Sequence, residues 1–230
     1  MRLLLISAVI LPLFFVSQAA LAQSVDSPSS ESSSNPERLV YVMPNNRTVE
    51  HKESFTPISA GTKLRLGAED AFDPYCFVAA GLNAGVEQAA NDHPQYGQGI
   101  AGFGKRYGAD FTDEAVSELL GGGVFPILFR QDPRYFRMAN GGIWKRSMYA
   151  LSRSVKTKAD SGASQFNFST VLGDYVGAGI SNAYYPSADR TFRQTMQQGS
   201  ITLLEDTAFN LVREFWPDVH ERLRRKRPNP

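Results

Sequence analysis

Two short segments of this chain carry basic, acidic and tyrosine side chains that could bind an anion. Their members are Lys105, Arg106, Tyr107, Asp132, Arg134 and Tyr135. A guanidinium group offers a fork of donors that matches carboxylate or phosphate, and a tyrosine hydroxyl adds one more donor. If the two segments meet in the fold, they predict an anion-binding pocket.

A purely structural interpretation of the same residues is also open, and we prefer it. Asp132 stands directly before a proline and can cap a helix, which explains its position without any ligand. The arginines of both segments can form structural ion pairs with acids such as Glu87 or Asp110. No nucleophile stands beside an evident general base, so we predict no catalytic residues.

Three glycine-containing segments match cofactor or catalytic motifs only in part. Residues 97–102 fit G-x-G-x-x-G, but no strand precedes them and no βαβ unit follows. Residues 99–105 resemble G-x-x-x-x-G-K, but Arg106 stands where a serine or threonine should hold magnesium. Residues 179–183 resemble a nucleophile elbow around Ser181, yet they fit one continuous helix. We therefore predict no cofactor.

Histidines, net charge and cysteine content exclude further classes of site. His51, His93 and His220 are widely spaced and show no zinc-binding pattern, so we predict no metal site. The formal net charge is only +1, which gives no indication of a nucleic-acid partner. Cys76 is the single cysteine and lies in an apolar run, which predicts a buried, inert thiol.

Helical periodicity dominates the chain from about residue 58. One apolar stripe ends before Pro74, and a second helix is expected from Pro74 to about Asn91. Thr112 is expected to cap a third helix, and Pro126 is expected to break or kink it.

The second half of the chain continues the helical pattern. Residues 143–155 predict a fourth helix and Ser169 can cap a fifth. Another helix is expected from Ser187 towards Trp216, with a polar loop at 156–165. Few segments alternate like strands, so we predict an all-α bundle of about five to seven helices.

Small residues recur four apart in two of these helices. Gly81 and Gly85 share one helix, and Gly173 and Gly177 share another. Residues with this spacing lie on one face, where the lack of side chains lets a neighbouring backbone approach. We therefore expect glycine-rich close packing, with a close neighbour at Gly85.

The two ends of the chain predict its processing and address. Residues 1–22 read as a cleaved signal peptide, because the apolar run is shorter than the roughly 20 residues that span a bilayer and ends in Ala20-Leu21-Ala22. Residues 23–56 are a serine-rich tether and connecting chain, with one short strand near 39–43, and 57–230 form a single helical domain.

A concentrated basic run ends the domain at residues 222–227. Such a run contributes about 1 kcal/mol per cation to contact with an anionic membrane. A solvated terminus is the alternative, and we prefer it.

Five segments together resemble a family of uncharacterised exported bacterial proteins. They are AEDAFDP (68–74), YGQG (96–99), GFGKRYG (102–108), QDPRYF (131–136) and ISNAYYP (180–186). The resemblance covers roughly residues 58–220. It implies a bacterial envelope address in the periplasm or nearby, and no catalytic residues are carried over from it.

The sequence thus favours a non-catalytic exported helical protein of the bacterial cell envelope. Its expected partner is an anionic membrane surface or another envelope component, and its oligomeric state is left open. The alternative is an envelope enzyme that acts on an anionic lipid or glycan through the arginine, tyrosine and aspartate residues named above.

Overall fold

Helices make up most of the part of the chain that the structure describes. The computed structural model describes residues 38–39, 43–44, 47–50 and 55–225. Six helices in these ranges have ten residues or more: α1 Ala60–Ala71, α2 Pro74–Ala90, α3 Gly99–Leu119, α5 Ile143–Ser152, α6 Phe168–Ser181 and α7 Phe192–Arg225. A short helix, α4, covers Phe125–Leu128. The predicted all-α bundle is confirmed.

Seven short strands accompany the helices. They are β1 Arg38–Leu39, β2 Met43–Pro44, β3 Thr48–Val49, β4 Gln131–Asp132, β5 Tyr135–Phe136, β6 Lys156–Ala159 and β7 Ser164–Phe166. β1 pairs with β2, β3 pairs in parallel with β5, and β6 lies between β4 and β7 in an antiparallel sheet.

Three sequence expectations are corrected by these strands. The segment 156–165 is a β-hairpin rather than a polar loop, because β6 and β7 pair with each other. The chain around Thr48 is a strand that pairs with Tyr135 rather than plain connecting chain. Asp132 lies in strand β4, so it does not cap a helix. The predicted signal peptide and most of the predicted tether lie outside the described residues.

Local side-chain chemistry sets the first helix boundaries. The Ser59 hydroxyl accepts a hydrogen bond from the Thr62 amide at the start of α1, at 3.1 Å. Asp73 caps α2 in the same way, and Pro74 follows in the first turn, where its missing N–H costs nothing. Thr112 caps no helix. It lies inside α3, and its hydroxyl donates to the Gly108 carbonyl at 2.6 Å.

Helix α3 continues through a π-helical turn, Leu120–Val124, into α4. Pro126 does not break this rod, because it lies in the first turn of α4, where proline is tolerated. We call the continuous segment 99–128 the central rod. It packs against α1, α2 and α6, which places it at the centre of the fold.

Three consecutive glycines in the π-helical turn each face a different close neighbour. A Cβ on Gly67 of α1 would lie 2.8 Å from the Gly123 nitrogen, and a Cβ on Gly173 of α6 would lie 2.7 Å from the Gly121 Cα. A Cβ on Gly122 would overlap the Arg47 guanidinium. This turn therefore brings α1, α6 and Arg47 against one short stretch of backbone.

The close neighbour expected at Gly85 is absent. No atom would lie within 4 Å of a Cβ there, and a Cβ on Gly81 would meet only the Tyr107 ring, at 3.7 Å. The spacing of small residues locates a shared face, but it does not indicate whether another helix covers that face.

The last helix is longer than the sequence suggests. α7 runs to Arg225 with Pro217 inside it, so Pro217 does not end the helix as expected. The basic run 222–227 begins on the last turn of α7, and its last two residues lie outside the described residues. Within the described ranges, no helix has both the length and the apolar character needed to cross a bilayer.

Candidate functional site

The interior of this protein is polar and its outer surface is rich in apolar side chains. The largest fully buried side chains in the described residues are Arg106, Lys63, Gln131, Glu214, Asp132 and Pro126. Charged residues are rarely buried in proteins unless they are paired, so each charged member of this set needs a partner. The arrangement is the reverse of an ordinary soluble core.

Helix α6 displays this reversal along its whole length. Phe168, Leu172, Val176 and Ile180 recur every fourth residue, and all four are exposed. The opposite face buries small or polar residues, among them Asp174. The helix therefore turns its polar face to the interior and its apolar stripe outward.

The polar interior contains a cavity of about 80 Å³ between α3, α6, α7 and the sheet formed by β4, β6 and β7. This volume has room for several water-sized groups. Four of the carboxylates that line it form what we call the acidic wall: Glu114, Asp174, Glu205 and Asp206. Three cations that also line it form the basic wall: Arg153, Lys156 and Arg213.

Burial disfavours the charged form of the acidic wall. Burial, followed by the nearby Asp206, raises the pKa of Asp174 to about 9. Burial and Glu118 raise the pKa of Glu114 to about 8 and that of Asp206 to about 7. Asp174 is 4% exposed, and its Oδ2 atom has no hydrogen-bond partner in the described residues. The wall therefore retains protons near neutral pH.

Arg47 also lines the cavity, and its charge favours the ionised form of Asp206 in the acidic wall. Its Nε lies 2.5 Å from Asp70 of α1, and its Nη2 lies 2.8 Å from Glu118 of α3. Nη2 also donates to the Leu66 carbonyl at 3.3 Å. These bonds tie the segment before β3 to two helices. Glu118 is therefore already paired, whereas the four acids of the wall are not.

A second ionic cluster, built around Glu214, lies beside the cavity. The Glu214 carboxylate is fully buried and accepts hydrogen bonds from the Tyr135 hydroxyl at 2.9 Å and the Arg146 Nε at 2.8 Å. It also accepts from the Met138 and Ala139 amides, each at 3.0 Å. Burial, followed by the charge of Glu214, raises the pKa of Tyr135. The carboxylate thus fixes the chain after β5 against α5 and α7.

The predicted anion-binding segment at 105–107 lies away from the cavity. Arg106 is fully buried and donates to the backbone carbonyls of Asp92, His93 and Gly97. Its Nη1 also donates to the Gln88 side chain at 2.7 Å. Lys105 is exposed and Tyr107 is partly exposed, and neither lines the cavity. The arginine here closes a backbone turn.

The second predicted segment does line the cavity. Asp132 accepts from Arg134 through both oxygens, with the shortest N–O distance at 2.6 Å. Arg134 Nη2 also donates to the Thr56 carbonyl at 2.6 Å, and the Tyr135 hydroxyl donates to Glu214. The structure thus places Asp132, Arg134 and Tyr135 together but does not bring 105–107 to them. The anion-binding role of these residues stays a prediction.

Ser181, the serine of the elbow-like segment, has a carboxylate rather than a histidine as its partner. It ends helix α6, and its hydroxyl donates to Asp113, which also accepts from the Tyr184 and Tyr185 hydroxyls. His93 binds Asp189 at 2.8 Å instead of the serine. The elbow geometry is therefore not formed. In the described ranges, no three His, Cys, Asp or Glu side chains are placed to hold a metal ion.

Comparison with known proteins finds no match for this chain. No family model, no curated protein and no solved structure matches the chain. What the protein does is therefore inferred from its own surfaces and cavity.

Sequence reasoning missed the members of both walls. Asp174 carries the clearest signal in retrospect, because it is a charged residue next to Gly173 on the small-residue face of α6. A charge on the face that packs inward indicates an unusual interior. Arg213 follows Asp206 by two helical turns on α7, so both lie on the same side of that helix. No comparable spacing marks Arg47, whose partners are far away in sequence.

Proposed function

We propose that this protein is a non-catalytic protein of the bacterial cell envelope that rests against a lipid membrane through an apolar part of its outer surface. The envelope address rests on the predicted signal peptide and on the family resemblance. The lipid contact rests on an exposed apolar cluster at one end of the central rod.

We call this cluster the apolar end. Its exposed members are Leu64, Val124, Ile127, Leu128, Phe166 and Phe168. Ring contacts connect the end of α4 with the start of α6 and with β7. The Phe168 ring centre lies 5.7 Å from the Phe129 ring centre and 5.0 Å from the Phe166 ring centre. Leu128 is the most exposed member, at 66%.

Exposed apolar side chains are common, but a contiguous cluster of this kind marks an interaction surface. Each square ångström removed from water contributes roughly 25 cal/mol, so covering several such side chains contributes several kcal/mol. The apolar stripe of α6 continues from Phe168 through Leu172 and Val176. A polar interior behind an apolar exterior is what proteins in contact with lipid display.

Two exposed arginines flank the apolar end and favour an anionic lipid surface. Arg65 follows Leu64, has a side chain that is 72% exposed, and forms an exposed ion pair with Glu69 at 3.2 Å. Arg130 follows α4 and is also exposed. Cations at the edge of an inserted apolar patch contribute about 1 kcal/mol each near anionic headgroups. The two arginines and the apolar end therefore lie on the same part of the surface, and both favour contact with an anionic membrane.

The alternative, an envelope enzyme that acts on an anionic lipid or glycan, lacks a supporting constellation in the described residues. Ser154 and Ser169 line the cavity, but Ser154 pairs with Thr207 at 2.6 Å and Ser169 donates to Gln131 at 2.6 Å. An activated hydroxyl would need a histidine or carboxylate in that place. We therefore do not propose a reaction.

Vesicle flotation tests the proposal. The protein is expected to float with vesicles that contain anionic phosphatidylglycerol, and Leu128→Glu is expected to reduce the bound fraction about tenfold or more. A buried carboxylate in hydrocarbon costs several kcal/mol, which is enough for this loss.

Ile100→Glu is the matched control. Ile100 is 93% exposed and lies at the opposite end of the central rod, roughly 40 Å from Leu128 at 1.5 Å per residue. This variant is expected to float like the wild type. Absence of the wild-type protein from the floating fraction, or equal loss in both variants, would overturn the proposal.

A further inference from the structure

The cavity carries unpaired charges of both signs on separate walls. Among the described residues, none of the four carboxylates of the acidic wall forms an ion pair, and none of the three cations of the basic wall does so. Arg213 and Arg47 favour the charged form of Asp206 through space, but no ion pair joins the two walls within the described residues. The acidic wall is built from α3, α6 and the first half of α7, and the basic wall from the end of α5, β6 and the second half of α7.

The spacing of the walls can be read along α7. Asp206 and Arg213 are seven residues apart, which is about 10 Å along the helix axis, and both lie on the same side of the helix. A ligand between them meets carboxylates at one end and cations at the other. Phe209 and Asn210 line the cavity between the two.

The acidic wall is more than a group of neighbouring carboxylates. Asp174 is buried, lines the cavity, and has an oxygen without a hydrogen-bond partner. A buried polar atom without a partner is unfavourable, so a ligand donor that reaches it strengthens binding. Glu205 and Lys156 line the cavity and are exposed, which opens one side of each wall to solvent.

We infer that the cavity binds a small zwitterionic molecule, with an ammonium or guanidinium group at the acidic wall and a carboxylate or phosphate at the basic wall. The donors of a guanidinium match the free oxygens of Asp174 and Asp206, and the arginines of the basic wall match a carboxylate. This inference does not depend on the proposed contact with lipid.

Binding of such a ligand is expected to release protons from the acidic wall. The groups that face Asp174 are Glu114, Glu118, Glu205 and Asp206, and Asp206 in turn faces Arg47 and Arg213. Burial raises the pKa of Glu114 to about 8 and that of Asp174 to about 9, so both retain protons near neutral pH and an arriving cation displaces them. Affinity for the cationic end is therefore expected to rise with pH, by up to about tenfold per pH unit for each proton released.

Isothermal titration calorimetry with three small probes tests the assignment. L-arginine carries both ends, agmatine lacks the carboxylate, and citrulline replaces the guanidinium with a neutral group of similar shape. Arginine is expected to bind saturably, and agmatine and citrulline about tenfold or more weakly, because each lacks one charge-assisted contact. Titrations in buffers with different ionisation enthalpies measure the released protons.

Variants of each wall connect the binding to these residues. Asp174→Asn and Arg213→Gln are each expected to weaken arginine binding about tenfold or more. Glu69→Gln makes the same chemical change as the first variant at an exposed carboxyl outside the cavity and is expected to bind like the wild type. Circular dichroism confirms folding of each variant, and Lys156→Gln replaces Arg213→Gln if that variant does not fold.

Several results would overturn the inference. Absence of saturable arginine binding would exclude the site. Equal affinity for agmatine would exclude the basic wall as a contact, and equal affinity for citrulline would exclude the acidic wall. Unchanged binding by the folded Asp174→Asn variant would exclude the residue that carries the inference. Failure of the protein to bind vesicles would not affect this inference about the cavity.

Discussion

The protein is expected to become less stable as the pH rises from about 5 to about 8. Carboxyl groups in the unfolded chain lose their protons near pH 4, whereas the folded state holds the pKa of Asp206 at about 7 and those of Asp110 and Asp174 at about 9. Between these values the folded state binds more protons than the unfolded chain. Rising pH therefore favours unfolding, by about 1.4 kcal/mol per pH unit for each extra proton.

Urea denaturation at several pH values and constant ionic strength measures this slope. Asp218 acts with the opposite sign, because hydrogen bonds from Arg146 and Arg137 outweigh its burial and lower its pKa. Its contribution is lost only as the pH falls below the ordinary range of an aspartate, so the stability maximum is expected between about pH 4 and 6. A stability that rises steadily from pH 5 to pH 8 would contradict the buried, protonated carboxyl groups.

Asp174→Asn isolates one of the two largest contributions to this slope, since the pKa of Asp110 is also raised to about 9. The amide retains the shape of the side chain and removes the charge, so the variant is expected to be more stable than the wild type at pH 8 by at least about 1 kcal/mol. Near pH 4 the two should differ little. The exposed Glu69→Gln variant is the control and is expected to have the wild-type slope. A less stable Asp174→Asn variant at pH 8 would show that the carboxylate has a partner.

Glu214→Ala is expected to destabilise the protein by about 3–5 kcal/mol or more. The substitution removes one of the two carboxylates that pair with the buried Arg146, the other being Asp218, and removes the acceptor for two backbone amides. The same change at an exposed surface carboxylate costs little. Wild type and variant are compared by urea unfolding at one fixed pH near 5, close to the expected stability maximum, so that the pH effect described above acts on both alike.

Two further variants decide what the Glu214 site requires. Glu214→Gln retains one oxygen as an acceptor but places an amide donor against either Arg146 or Tyr135, which donate to different oxygens of Glu214, so an intermediate loss of about 1–3 kcal/mol is expected. Glu69→Ala, at an exposed carboxylate, is expected to change stability by less than about 0.5 kcal/mol. Equal stability of the wild type and Glu214→Ala would mean that this buried cluster contributes nothing net.

The helical fold class could be predicted from the sequence because hydrophobic periodicity and helix-capping residues are local properties. Ser59 and the pair Asp73 and Pro74 are short-range signals, and the first two helices begin where these signals place them. The expectation at Thr112 failed for a related reason. A threonine can cap a helix or donate to a carbonyl one turn earlier inside it, and the sequence alone does not distinguish the two.

The candidate site depended on contacts that local patterns do not encode. Arg47 pairs with Asp70 and Glu118, and no sequence spacing connects these three residues. Arg106 looked like a free anion-binding arginine because its actual partners are backbone carbonyls, which every residue has. The outward orientation of apolar side chains could not be predicted either. An apolar stripe such as that of α6 identifies one face of a helix but does not indicate whether that face points inward.

The most direct test of lipid contact by the apolar end uses an introduced tryptophan as a depth probe, beside the buried Trp216 that each variant retains. In a Trp144→Phe background, Trp216 is the only native tryptophan and is buried. Leu128→Trp and Ile100→Trp then place a reporter at either end of the central rod. With anionic vesicles whose acyl chains carry bromine, fluorescence quenching is expected for Leu128→Trp and not for Ile100→Trp. Quenching of neither variant, or equal quenching of both, would contradict membrane contact through the apolar end.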